Sequence, residues 1–366
     1  MKFIIDAHED LAWNIVNLNR DYTQSAYAIR AVEKNTPIPD FNGNTLLGWP
    51  QYQQAKVAVV FGTLYCSPSR LDKGKYPVES YETPKQAHKC YQNNLDAYLR
   101  LTDEFPSKFR LILNTSDLSS HLNQWQRHLD HPTDAQPPVG IVILMEGAEG
   151  IQEPAHVEDW YRQGVRIIGP AWAGNRYCGG TREPGPLTKA GYELLEAMAN
   201  FNIILDISHM DHQSARQALD FYPEQVIASH SNAEALINKI PINRHLKDET
   251  IRQLIDRDGV MGIVPLNAFL YWDWRARGGH QSLSLDHITA QIDYVCQIAG
   301  NARHVGLGTD FDGGFGVESV PPEIDTIADL PKLAPKLAEK GYNEEDIERI
   351  FSGNWLRILK NNLPGK

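Results

Sequence analysis

Cysteine is scarce in this chain of 366 residues: four occur, at positions 66, 90, 178 and 296, and none forms a CxxC pair. Scattered cysteines in a chain this long read as free thiols in a reducing compartment, which argues against a disulfide framework and against sulfur-bound zinc. Positive charge is in deficit as well, with 35 Lys and Arg against 46 Asp and Glu and a net charge of −11. Nucleic acid is therefore excluded as an expected partner, because phosphate binding needs a basic surface. No run approaches the roughly 18–20 apolar residues of a membrane span. The opening Phe3-Ile4-Ile5 is too short for a signal peptide. A cytoplasmic protein without membrane contact is the expectation. A glycine-rich phosphate turn is missing too: the first turn reads HEDLAWN, which disfavours a nucleotide-binding, doubly wound open sheet.

What is present is an alternation of short β-branched runs with helical patterns. Strands are expected at 3–7, 56–65, 139–146, 164–170, 202–208, 225–230, 259–266 and 304–310. Between them, apolar residues recur at three- and four-residue spacing, clearly at 83–103, 187–200, 249–258 and 284–299. Thr188 and Asp248 stand where helix N-caps are expected. Eight strands alternating with helices predict an α/β fold, a closed (β/α)₈ TIM-type barrel. Such barrels run from about 250 residues to more than about 400 with insertions. One decorated barrel domain over 1–366 therefore fits, with insertions near 14–55 and 267–282. Loops after barrel strands build the mouth of the active site. The second insertion carries Phe269, Tyr271, Trp272 and Trp274, suited to covering a substrate or to ordinary packing. The tail NEEDIERIFSGNWLRIL reads as a closing helix pair divided at Gly353.

Five of these runs deliver a ligand-type residue to the following loop. FIID leads to His8 and Asp10, GIVILM to Glu146, NIILDIS to His209, QVIAS to His230 and HVGLGT to Asp310. On an extended strand, residues two apart face the same side, so His8 and Asp10 can reach one ion while Glu9 points elsewhere. His209 and His230 are one strand–helix–strand step apart, which suits a second metal or a shared one. Glu146 can bridge two ions through its two oxygens; such ions sit about 3.5–4 Å apart and hold a bridging hydroxide that attacks a carbonyl. Asp310 can take a proton from that water and return it to a leaving amine. Any one of these residues alone would be a cap or a core hydrogen-bonding group; their joint placement predicts a metal site. Glu149 is the rival bridge, and His212 a candidate supporting residue.

At these residues the chain resembles the membrane (renal-type) dipeptidases of peptidase family M19, in the metal-dependent amidohydrolase superfamily. The matching segments are DAHEDLAWN, MEGAEG, GVRIIG, LDISHM, ASHSNA, INRHLKDE, HVGLGTDFDGG and GNWLRIL, in family order over nearly the whole chain. The resemblance implies two zinc ions, with His8 and Asp10 on one, His209 and His230 on the other, and Glu146 between them. It implies Asp310 as the catalytic acid/base and Arg244 as the grip on the substrate's carboxylate, a task suited to a guanidinium fork. It further implies hydrolysis of dipeptides, including those ending in a D-residue, and is compatible with a homodimer. One departure stands out: Trp172 occupies the place of a histidine that contacts the scissile carbonyl. Trp donates one N–H and carries no charge. Asn175, Arg176 or Tyr177 would then take over, with Trp172 and Tyr177 as substrate-binding candidates. The departure keeps open another amide or lactone substrate, such as an N-acyl amino acid or a lactam. A metal-binding scaffold without activity is a more remote alternative.

Overall fold

The computed structural model describes residues 2–71, 74, 76–237 and 240–365. Eight parallel strands form the expected barrel: β1 (Ile4–Glu9), β2 (Val57–Leu64), β3 (Val139–Glu146), β4 (Val165–Gly169), β5 (Ile204–Asp206), β6 (Val226–Ile227), β7 (Met261–Ile263) and β8 (Val305–Leu307). They pair in the order 6-5-4-3-2-1-8-7. A parallel bridge between Ala228 and Met261 joins β6 to β7, and Ala228 N–H donates to Val260 O at 2.9 Å. A short strand, Phe109–Leu111, adds to the N-terminal edge of β3.

The strands are apolar because both of their faces are covered. Ile5, Val59, Val142, Leu144, Ile167, Ile204 and Ile227 pack together in one cluster, while Val57, Val60, Ile141, Ile143 and Ile168 face the surrounding helices in a larger one. This two-sided burial produces the near-continuous Val/Ile/Leu runs of a parallel sheet. The expected helices appear at Pro84–Glu104, Lys189–Ala199, Asp248–Asp256 and Leu285–Ala299. Thr188 caps the second through a bond from Gly191 N–H.

Two local expectations fail. Asp248 is the first helical residue rather than the N-cap, which is Lys247; the Asp248 carboxylate instead accepts from the Tyr294 hydroxyl at 2.9 Å. The C-terminal segment is one continuous helical run rather than a pair. Residues Arg349–Gly353 form a π-type turn between Glu344–Glu348 and Asn354–Asn362, and Gly353 has ordinary helical angles. The extra residue in that turn reaims the last helix onto β8. There, Asn354 Nδ2 donates to Val305 O at 2.8 Å and Trp355 Nε1 to Leu307 O at 3.0 Å.

The 14–55 insertion folds into short helices at Ala26–Glu33, Ile38–Asn42 and Trp49–Ala55, after one at Leu11–Leu18. Asp312 anchors it to the barrel. Its carboxylate accepts from Tyr22 OH at 2.7 Å, Leu46 N–H at 2.8 Å and Thr45 Oγ1, and lies 3.0 Å from Arg20 Nη1. Arg20 also grips Glu33 at 2.9 Å, with all three charged side chains nearly or fully buried. A buried acceptor that loses its place leaves several donors without a partner, so Asp312→Ala should cost about 3 kcal/mol or more. Thermal unfolding followed by circular dichroism checks this; a midpoint equal to that of the parent chain would refute the anchoring role.

Candidate metal centre

Six donor-bearing residues meet at the C-terminal mouth of the barrel. His8, Asp10 and Glu146 form one group whose ligand atoms lie within 4.8 Å of one another; Glu146, His209 and His230 form a second, and His8, His230 and Asp310 a third. Glu146 Oε1 lies 3.0 Å from His209 Nε2, 3.3 Å from His230 Nε2 and 3.5 Å from His8 Nε2. Glu149, the rival bridge, belongs to none of these groups. Three of the residues owe their direction to particular backbone. His209 (φ 66°) and Asp310 (φ 57°) adopt left-handed angles that turn them off the strand axis, a conformation that Asp and His tolerate better than most side chains. Asp310 N–H donates to His8 O at 3.0 Å, which sets the two side by side. A Cβ at position 313 would lie 2.0 Å from Asp310 Oδ1 and 2.7 Å from Asp10 Oδ2, so any residue larger than glycine would push these carboxylates out of place.

The imidazole tautomers follow from the groups behind them. Ser229 Oγ gives its proton to Asp206 Oδ2 at 2.5 Å. It can therefore only accept from His230 Nδ1 at 2.8 Å and from His8 Nδ1 at 3.2 Å. Thr181 Oγ1 donates to His209 O at 3.3 Å and accepts from His209 Nδ1 at 3.0 Å. All three rings thus hold their proton on Nδ1 and turn the Nε2 lone pair inward. Burial drives all three below the usual histidine range, and the Arg244 charge adds to it, so the rings are neutral. The contacts with Glu146 are consequently not ion pairs. Burial likewise raises Glu146 and Asp310 well above the carboxylate range, and Asp10, which accepts from Thr63 Oγ1, to about 6; in Glu146 and Asp310 the neighbouring carboxylates add to the rise.

This donor set fits a cation. Three inward lone pairs and a carboxylate oxygen crowd one spot: His209 Nε2 and His230 Nε2 are 2.9 Å apart, and His8 Nε2 has no hydrogen-bond partner among the described residues. A proton on Glu146, which burial favours, can satisfy only one of the three inward nitrogens, so the cluster is left short of positive charge. Neutral imidazole and carboxylate are the ligands that zinc and similar divalent metals take. Asp206–Ser229 and Thr181 supply the outer hydrogen bonds that orient such ligands.

The donors open onto a cavity of about 540 Å³. Arg244 lines it, buried to 2 % exposure. Its Nη1 donates to Ser231 Oγ at 3.2 Å and its Nη2 to His230 O at 2.7 Å, and the guanidinium lies 5.3 Å from the Phe269 ring centroid. Among the described residues it has no ion-pair partner, and its Nε has no hydrogen bond. Trp172 lines the cavity too, with its ring 5.9 Å from that of His209. In the loop after β7, Phe269 and Trp272 line the cavity, whereas Trp274 is buried in the core.

The three candidates to replace the missing histidine do not reach the cavity wall. Tyr177 is fully buried and its hydroxyl donates to Ile151 O. Arg176 turns to the same carbonyl and to Glu149 O at 3.3 Å. Asn175 Nδ2 holds Pro170 O at 2.8 Å. All three stiffen the base of a hairpin, Cys178–Gly180 with Glu183–Leu187, whose tip instead brings Thr181 and Arg182 to the cavity. His212 is also displaced from the centre, 3.2 Å from Glu234. Sequence reasoning missed Asp206, Ser229, Thr181, Asp6 and Arg182. Asp6 and Asp206 did carry a signal, a carboxylate inside an otherwise apolar strand. Asp6 accepts from Thr309 N–H at 2.7 Å and so ties β1 to the end of β8.

A barrel with this centre defines a metal-dependent hydrolase. The profile of the membrane dipeptidase family, peptidase family M19, matches residues 2–363, and the chain belongs to that family: it is a metallo-dipeptidase. It is 36% identical over 234 residues to an uncharacterised protein of Klebsiella pneumoniae, covering 61% of this chain and 82% of that one. It is 30% identical over 317 residues to a dipeptidase of Aspergillus oryzae, covering 85% and 68%. Against an uncharacterised dipeptidase of Schizosaccharomyces pombe, 27% identical, the match spans 60% of this chain and about half, 53%, of the yeast protein. The same fold occurs in a metallopeptidase from Rhodobacter sphaeroides solved with a phosphinate mimic of L-Ala-D-Ala (TM-score 0.76, 21% identity, 98% and 99% covered). The family implies a metal cofactor.

Ser229→Ala should leave the two ring Nδ1 protons unanchored and weaken metal binding by about 10–100-fold. Competition with a chromogenic chelator measures this; an unchanged affinity would remove Ser229 from the support of the centre.

Proposed function

We propose that this chain hydrolyses the peptide bond of dipeptides at a centre of two zinc ions. His8 and Asp10 would hold one, His209 and His230 the other, and Glu146 both. The observation that carries the substrate assignment is Arg244, a buried guanidinium that forms no ion pair among the described residues and lines the same cavity as the donor cluster. A buried cation is costly unless an anion meets it. Two of its five N–H groups serve the protein, and the rest remain for a substrate carboxylate. When bound, the metal supplies Lewis-acid polarisation of the scissile carbonyl and a water that ionises near neutral pH.

The protein's own groups do the rest. Arg244 fixes the C-terminal end, and Asp310 takes a proton from the attacking water and passes it to the leaving amine. The place of Asp310 in the donor cluster, beside His8 and His230, supports that role. Substrates of both hands at the C-terminal position belong in the test. A second reading, hydrolysis of an N-acyl amino acid, a lactam or a lactone, draws support from Trp172 in place of a polar group. The four free, buried cysteines support a reducing, cytoplasmic setting. No helix among the described residues is long and apolar enough to cross a membrane.

Elemental analysis of metal-replete protein should find two zinc ions per chain; one ion or none defeats the two-metal centre. Asp310→Asn should keep its metal yet lose about 10²–10⁴-fold in kcat; normal turnover would exclude the acid/base role. Arg244→Ala should raise KM for free dipeptides by about 10–100-fold, the worth of a hydrogen-bonded charge, and far less for C-terminally amidated ones. Equal effects on both would refute carboxylate recognition.

A further inference from the structure

Beyond the donor groups, one half of the cavity wall is aromatic. Trp13 follows β1, Phe41 comes from the insertion, Tyr65 follows β2 and Trp172 follows β4. Their rings form an unbroken arc that starts at the centre. Centroids are 5.9 Å apart from His209 to Trp172, 5.2 Å from Trp172 to Tyr65, 6.4 Å from Tyr65 to Trp13 and 6.3 Å from Trp13 to Phe41. These are contact distances for aromatic pairs. Phe41, Tyr65 and Trp172 are only half-buried, and all three line the cavity.

The opposite half carries Arg244, on the loop after β6, with Phe269 and Trp272 from the loop after β7 beside it. In the strand order 6-5-4-3-2-1-8-7, β2 stands four places from β6, across the mouth. A dipeptide with its carboxylate on Arg244 and its scissile carbonyl beside Glu146 must send its N-terminal residue towards the arc. Among the described residues, the carboxylates lining the cavity are Asp10, Glu146 and Asp310, all in the donor cluster. A cationic side chain in the arc would lose its hydration and find no free acid.

Resting on the dipeptidase reading, we infer that the Trp172–Tyr65–Trp13–Phe41 arc is the pocket for the N-terminal side chain, selecting large apolar and above all aromatic residues. Trp172 is then a specificity-determining residue whose ring replaces a polar contact with an apolar floor. Arg182, exposed at the hairpin tip and lining the rim, supplies the competing possibility of an acidic side chain, which the test must include.

The test measures kcat/KM of the metal-replete full chain for Phe-Ala, Leu-Ala, Gly-Ala, Glu-Ala and Lys-Ala. It is paired with equilibrium binding of the phosphinate analogues of Phe-Ala and Gly-Ala. Phe-Ala should exceed Gly-Ala, Glu-Ala and Lys-Ala by at least about tenfold, since a single methylene in an apolar pocket is worth about that much. The Phe analogue should bind tighter than the Gly analogue by a similar factor. Tyr65→Ala, Trp172→Ala and the more peripheral Phe41→Ala should each lower the Phe-to-Gly ratio at least threefold, in KM and in analogue affinity; misfolding of one leaves the others. A ratio that stays constant while both substrates slow would overturn the pocket, as would Glu-Ala or Lys-Ala as the best substrate. A flat profile over all five peptides removes the pocket and leaves the dipeptidase reading standing. No hydrolysis of any of the five defeats that reading and the pocket with it.

Discussion

The crowding of inward-facing lone pairs around Glu146 is the constraint on which the mouth of this barrel depends. A single proton on Glu146 can satisfy only one of the three neutral imidazoles within 3.5 Å of its oxygen; a divalent cation satisfies all of them by coordination. The hydrogen bonds behind the rings make sense only in this light. Asp206 fixes the direction of the Ser229 hydroxyl, and that choice dictates the tautomers of His8 and His230 together. One carboxylate, fully buried in β5, so orders ligands that arrive from β1 and β6.

The same logic extends outward. Asp6 clamps Thr309 and holds β8 against β1, which sets Asp310 beside His8. Two residues later the chain turns, and Asp312 spends its carboxylate on the insertion rather than on the centre. The two aspartates of one DFD segment thus face different neighbours, Asp310 the donor cluster and Asp312 the insertion. By anchoring the insertion, Asp312 also places Phe41 in the cavity wall, so the shape of the substrate site depends on a buried ion pair with Arg20.

Much of this was legible in the residues. Each barrel strand announced itself as a short β-branched run, because strands covered on both faces have few polar positions to interrupt them. The donors were legible because each breaks such a run at its C-terminal end, and Glu146 could be chosen over Glu149 for the same reason. Where the reading failed, the deciding contact lay far away in the chain. Tyr177 is near Trp172 in sequence, yet the carbonyl of Ile151 draws its hydroxyl away from the cavity. Asp248 resembled a cap, but Tyr294, 46 residues on, holds its carboxylate. Gly353 resembled a helix break, but a π-type turn absorbs it because Asn354 and Trp355 must meet β8.

Local sequence determined the periodicity of strands and helices, the chemistry of the donors and their placement at strand ends, since these depend on side-chain type and on spacing of two or about 3.6 residues. Tertiary structure alone decided which ring nitrogens face inward, which aspartate meets the centre, and that Trp13, Phe41, Tyr65 and Trp172 form one surface. Those outcomes depend on groups brought together by barrel closure from positions up to about three hundred residues apart, such as Asp6 with Thr309. No local pattern encodes such distances.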